Sequence, residues 1–302
     1  VSREQTRALC ADLRDSVGRH ALIWIDQEGG RVARLKAPEW PTWPPAKAYG
    51  DLFQRDAIAG VEATRLGHRL IAHELKAIGV DGDFAPVLDV PVIGSDKIVG
   101  DRAFSADPKN VGILARAALE GLHAGAVAGC IKHMPGHGRA TADSHFHLPR
   151  VSAEAEALAA DLTPFIALKD AEAAMTAHIV FDAFDSARPA TCSPRVIEDI
   201  IRGRIGFSGL LMSDDLDMKA LAHAVKGGLK ERAAAALGAG CDVVLQCSGD
   251  LKEMRQAAAG CGPLQGAALD RARTVEAIAK RPADEFDAQA GWVRFKELMG
   301  PA

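Results

Sequence analysis

What the sequence lacks narrows it first. It has no Lys/Arg run of useful length. Its net charge of −4 and pI near 6.2 offer a nucleic acid no basic face. No apolar run reaches the ~20 residues of a membrane-spanning helix, and nothing near Val1 has the charged-then-apolar pattern of a signal peptide. A cytoplasmic chain with neither a nucleic-acid nor a membrane partner is expected. None of the six cysteines forms a C-x-x-C pair. In a chain this long they do not read as a disulfide framework, and their mostly apolar or Ala/Gly-rich surroundings predict buried free thiols. No G-x-G-x-x-G follows the first apolar run, which weakens a dinucleotide-binding reading. No low-complexity linker interrupts the chain, so residues 1–302 are expected to form a single domain.

What is present is an ordinary globular composition, 48% hydrophobic and 25% charged, with ample length to bury a core. Apolar runs at 21–26, 80–90, 128–133, 173–181, 209–215 and 241–247 alternate with amphipathic segments. Several runs are almost continuously apolar, as strands buried on both faces are. Asp107-Pro108 supplies an N-cap and a first helical residue, and Val111, Leu114, Ala115, Ala118 and Leu122 then share one face. Ser193-Pro194 repeats the signal ahead of Val196, Ile197, Ile200 and Ile201. Thr163-Pro164 predicts a helix that restarts inside 153–171.

This alternation argues for a parallel α/β fold, either an open doubly wound sheet or a TIM-type (β/α)8 barrel. The polar residues favour the barrel. Asp26, Lys132, His133, His178 and Asp214 fall at or just past the C-terminal ends of different strands, the face on which barrels collect their chemistry. Six strands are legible where eight are needed. The pattern places a first strand ahead of Val1 and another in the weakly patterned C-terminal third.

Four segments carry candidate chemistry. In IDQEGGRVARL (25–35) a strand ends in Asp26, a Gly pair turns the chain, and Arg34 follows. This is either a solvated turn or an Asp that accepts sugar or alcohol hydroxyls beside an arginine. In VGDRAF (99–104), Arg102 is a surface residue or a substrate contact. KHMPGHGRATADSHFHLP (132–149) is a loop by its Gly and Pro content, with histidines at 133, 137, 145 and 147. They would serve a metal, a general acid or an ordinary polar surface. Pro135 and Gly136 work against the helix that H-x3-H ligation prefers, whereas Asp143-x-His145 would fix an imidazole tautomer and stabilise its cation. GLLMSDDLDM (209–218) sets Asp214, Asp215 and Asp217 where a buried strand runs out, as a cation site, a helix cap or a nucleophile. Capping explains one of the three and not easily all.

IDQEGGRV, FAPVLDV, GDRAF-x-x-DP, KH-x-PGHG followed by DSH, and SDDL-x-M occur in this order. Together they resemble the bacterial β-N-acetylhexosaminidases of glycoside hydrolase family 3, especially the single-domain cytoplasmic kind of peptidoglycan recycling. The resemblance spans roughly residues 20 to 250. It implies Asp214 as nucleophile, His145 as general acid/base with Asp143 as its partner, and Asp26, Arg34, Arg102, Lys132 and His133 as the residues that hold N-acetylglucosamine. The implied reaction is retaining hydrolysis of a terminal β-linked N-acetylglucosamine on muropeptide fragments of the GlcNAc-1,6-anhydroMurNAc type. A phosphorylase of the same fold and a metal-dependent hydrolase using the 132–147 histidines are the alternatives. No cofactor or metal is expected, and the chain is expected to be a monomer whose partner is its carbohydrate substrate. The resemblance also implies that Gly136 and Gly138 are hinges on which the loop swings.

Overall fold

In the computed structural model, which describes residues 1–300, six parallel strands stand side by side in chain order. They are β1 (Trp24–Ile25), β2 (Gly82–Asp83), β3 (Ala128–Gly129, continued by Ile131–Met134), β4 (Ala173–Thr176), β5 (Leu210–Asp215) and β6 (Val243–Leu245). Trp24 pairs with Gly82, Gly82 with Ala128, Ile131 with Ala174, Ala173 with Leu210, and Met212 with Val243. The order never doubles back, so there is no switch point of the doubly wound kind. It is the strand order of a (β/α) barrel.

Each apolar run contributes one strand but only part of its length. Pro86 has no N–H to give, and the ladder of the 80–90 run stops short of it. The chain rejoins β3 at Val87, which pairs with Lys132, and Leu88 N–H donates to Lys132 O at 2.7 Å. The 173–181 run divides. Its first half is β4, and Val180–Phe181 pairs instead with Arg150–Val151 outside the main sheet.

The inward faces of the strands meet in a cluster of Phe84, Ala128, Cys130, Ala173, Met175, Leu210 and Met212. Helices Ala57–Ala77, Pro108–Ala124, Ala155–Ala167 and Leu229–Ala239 form much of the outer layer. Pro108–Ala124 starts as expected, with the Asp107 side chain accepting from Lys109 N–H. Its stripe of Val111, Leu114, Ala115, Ala118 and Leu122 is buried. Ser193 caps a π-helix, Val196–Ile205, by accepting from Val196 N–H at 3.1 Å.

Three expectations need correction. The helix Ala155–Ala167 does not restart at Pro164 but runs through it. Leu158, Leu162 and Phe165 are buried on both sides of the proline, and that packing holds the segment helical. Cys10, Cys130, Cys192 and Cys241 are buried thiols, but Cys247 and Cys261 are exposed. The C-terminal third adds no strand among the described residues. It forms helices Leu251–Ala258, Gly266–Lys280 and Ala288–Met299, the first and last capped by Asp250 and Asp287. Val275, Ala272 and Ile278 of the middle helix pack onto the inward cluster beside Trp24 and Leu245. β1 and β6 stay at the two sides of the sheet, half-buried, while β2, β3 and β4 are buried throughout.

Candidate active site

The C-terminal rim is assembled from the ends of these strands. After Asp26 the chain folds back as a hairpin, Gln27–Gly29 against Val32–Ala33, with Gly29 and Gly30 at φ of 98° and 55°. Only glycine takes such values without strain. Buried Gln27 pins the hairpin. Its Oε1 accepts from Arg34 and Leu35 N–H, and its Nε2 donates to Leu35 O, all at 3.0 Å. Asp26, Glu28 and Arg34 are thereby fixed along the rim.

A charged network crosses it. Lys132, only 2% exposed, donates from Nζ to Glu28 Oε1 at 2.6 Å and to Asp26 Oδ1 at 3.1 Å. Arg102 grips Glu28 with two bonds of 2.8 Å. Arg34 reaches Asp26 Oδ2 at 2.8 Å. Burial would raise the Glu28 carboxyl, but Lys132 and Arg102 outweigh it and bring it down to about 2. Next along β3, His133 Nδ1–H donates to Asp89 Oδ2 at 2.7 Å, while Asp89 Oδ1 accepts the backbone N–H of His133 and of His137. Burial opposes ionisation of Asp89, yet His133, His137 and these bonds hold it well below the usual carboxylate range. The bond to Asp89 fixes the His133 ring and its tautomer.

The three acids at the end of β5 and just beyond it separate into different roles. Asp214 opens onto the rim and accepts from Asp215 N–H at 2.8 Å. Burial raises its carboxyl, but His178, His133, the Asp215 N–H and Lys132 together hold it below its ordinary value. Asp215 goes the other way, pushed up mainly by burial. Its Oδ1 is committed to Asp217 N–H and Cys247 N–H, which ties β5 to β6. Neighbouring carboxyls pushed apart in this way have different jobs. His178 is buried between Thr191 Oγ1 and Asp215 O, which fixes its ring, and burial pushes its imidazole below the ordinary value.

The histidine loop is anchored at its base. Arg139 bonds Asp161 and Ala157 O of the helix Ala155–Ala167. Gly138 lies so close to Val90 that a Cβ would come within 1.9 Å of Val90 O. Gly138 is therefore a packing glycine and not a free hinge, because any side chain there would strike backbone. Further along, Asp143 Oδ1 accepts from His145 Nδ1–H at 2.7 Å and from His145 N–H at 2.8 Å.

These parts enclose one cavity of about 270 Å³. Asp214, His145, Asp26, Arg34, Arg102, Lys132 and His133 all line it, and Asp143 stands directly behind His145. Phe84, Met175 and Leu245 supply apolar surface. Larger and shallower hollows, such as that over Leu251–Ala258, carry none of this chemistry. Among the described residues no group of three His, Cys, Asp or Glu side chains is placed to hold a metal ion.

Sequence reasoning missed Glu28 and Asp89 as members of the site and weighed His137 only among the loop histidines that would serve a metal, a general acid or an ordinary surface. Glu28 and Asp89 belong to motifs noticed for other reasons. Asp89 repeats the signal that marked Asp26, a carboxylate at the end of an apolar run.

Residues 2–274 match the glycosyl hydrolase family 3 N-terminal domain. A β-hexosaminidase of Bordetella avium is 41% identical over 251 residues, 82% of this chain and 70% of that protein. One from Xanthomonas campestris pv. campestris is 41% identical over 264 residues, 86% of this chain and 78% of that protein. NagZ from Neisseria gonorrhoeae, solved in complex with N-trifluoroacetyl-D-glucosamine, superposes with a TM-score of 0.85 at 32% identity, over 99% of this chain and 88% of that one. A family 3 β-N-acetylglucosaminidase from Paenibacillus sp. FPU-7 superposes at 0.83 with 28% identity, over 99% of this chain and 60% of that one. With a TIM-type barrel order, a polar cavity at the strands' C-terminal rim and these relatives, the chain belongs to glycoside hydrolase family 3, among its β-N-acetylhexosaminidases.

Proposed function

We propose that the chain is a retaining β-N-acetylglucosaminidase in which Asp214 is the nucleophile and the Asp143–His145 pair the acid/base. The observation that carries this is the shared cavity. An ionised carboxylate from β5 and an imidazole from the histidine loop line the same small space, which suits one terminal sugar ring. Asp214 Oδ attacks the anomeric carbon as the glycosidic C–O bond breaks, and the leaving oxygen takes its proton from His145. Water then attacks the glycosyl ester, His145 removes its proton, and the Asp214 carboxylate is released. Asp143 holds the ring with its second nitrogen free for both transfers. Asp26 offers acceptors for sugar hydroxyls, and Arg34, Arg102, Lys132 and His133 surround the ring.

For the natural substrate we favour a muropeptide fragment, N-acetylglucosamine on 1,6-anhydroMurNAc, and a place in cytoplasmic peptidoglycan recycling. The likeness to NagZ supports this choice. Comparing hydrolysis of GlcNAc-anhydroMurNAc with that of chitobiose tests the aglycone. The mechanism is tested by treating the protein with a 5-fluoro N-acetylglucosaminyl inactivator and mapping the labelled peptide by mass spectrometry. Label on Asp214 is expected, and label on any other carboxylate rejects the assignment.

A further inference from the structure

His137 and Ser144 have no role in the scheme above. Yet among the described residues they make the one side-chain hydrogen bond between the base of the histidine loop and its tip, His137 Nε2 to Ser144 Oγ at 3.1 Å. The base is fixed independently. His133 and His137 N–H are held by Asp89, Gly138 packs on Val90, Arg139 pairs with Asp161, and Ala140 O accepts from Asp96 N–H at 2.8 Å. The tip carries His145, whose side chain is 56% exposed. Apart from Ser144 Oγ, its polar ties outward are two long backbone bonds, Lys219 N–H to His145 O and Ala220 N–H to Ser144 O, each 3.3 Å.

Both partners are almost fully buried, His137 at 4% and Ser144 at 2%. The other ring nitrogen of His137, Nδ1, is buried without a partner. The imidazole thus makes one side-chain hydrogen bond, and it makes it to the residue between Asp143 and His145. Burial holds this ring down at about 4, so it is a neutral partner for a hydroxyl near neutrality. It also lines the cavity, as does Ser144.

We propose that the His137–Ser144 hydrogen bond is the latch that sets His145 over the glycosidic oxygen, which makes both residues positioning residues of the acid/base step. This rests on the reading of His145 given above. A broken latch leaves the nucleophile and sugar contacts in place but lowers the fraction of molecules with the imidazole seated. The defect then depends on how much the leaving group needs a proton.

The test compares kcat/KM for a 2,4-dinitrophenyl β-N-acetylglucosaminide, whose aglycone departs unaided, with that for an alkyl glycoside, whose aglycone must be protonated. Ser144→Ala, an isosteric loss of one hydroxyl, and His137→Leu are each expected to lose roughly 3- to 10-fold on the alkyl glycoside, the range of one net hydrogen bond. On the dinitrophenyl glycoside they should change less than ~2-fold. Recovery in His137→Gln, whose amide keeps a hydrogen-bonding group near the Nε2 position, supports the latch. Equal losses on both substrates, or none on the alkyl glycoside, overturn it. His145→Ala separates the two failures. If it shows no split between substrates, the acid/base reading itself falls. If it shows the split and Ser144→Ala does not, only the latch falls.

Discussion

Replacing Glu28 by Gln removes a charge while keeping its shape, at a place where three charges depend on one another. Glu28 is 8% exposed and Lys132 2%. In the variant, one carboxylate oxygen becomes a neutral amide acceptor and the other an NH2 that faces donors, while Lys132 retains Asp26 at 3.1 Å and Arg102 retains Ile98 O at 3.2 Å. A carboxyl held at about 2 instead of its ordinary 4.5 contributes on the order of 3 kcal/mol to folding at neutral pH. Removing one member of a buried pair costs about 3–5 kcal/mol by the general experience of such sites. Both estimates point to a loss near 3 kcal/mol, a large share of the ~5–15 kcal/mol that stabilises a typical domain. The sign with pH follows from the depressed value. Stability due to the Glu28 charge is complete above the unfolded carboxyl's titration and is lost as pH falls toward 2. The gap between wild type and Glu28→Gln should therefore shrink to less than about half by pH 3. Urea denaturation followed by tryptophan fluorescence at several pH values measures it. A gap below ~1 kcal/mol at pH 7, or one that does not narrow on acidification, would refute the reasoning.

Asp143→Asn should keep the fold, because the residue is only partly buried, and should lower kcat/KM on alkyl glycosides by ~10²-fold or more; wild-type rates would remove the dyad. Gly138→Ala should destabilise the protein by more than ~1–3 kcal/mol, since the new methyl meets backbone that cannot swing away; an unchanged unfolding midpoint would contradict the packing described. Added phosphate should yield free N-acetylglucosamine and no sugar 1-phosphate, which is read directly by mass spectrometry. Activity should survive exhaustive chelation; loss with chelator and return with zinc would favour metal chemistry at the histidine loop.

Part of the rim was legible because several of its residues end apolar runs. Asp26, Lys132 and Asp214 all obey that rule, and the parallel strand order followed from the alternation itself. Arg34, Arg102 and His145 lie outside such runs and were placed only by the family resemblance. Other features depend on contacts between distant segments. Glu28 looks like a turn residue until Lys132 and Arg102 arrive from elsewhere in the chain. Gly138 looks like a hinge until Val90 lies against it. Asp214 and Asp215 are indistinguishable in sequence, and only the N–H of Cys247, just past β6, together with that of Asp217 shows that Asp215 is committed to holding backbone. Strand lengths were overread because composition does not show where a proline will interrupt a ladder, as at Pro86. The C-terminal helices were missed because Gly266–Lys280 buries only Val275 and Ala279, too narrow a stripe to register as a strong helical pattern.

The two lateral strands have a consequence of their own. Among the described residues, β1 pairs with β2 alone and β6 with β5 alone. The helix Gly266–Lys280 shields the apolar space between them, but a helix offers no ladder to pair with. What joins the two lateral strands is therefore side-chain packing onto the fully buried Val275 and not backbone pairing, so shortening that one side chain to alanine would loosen both sides of the sheet at once.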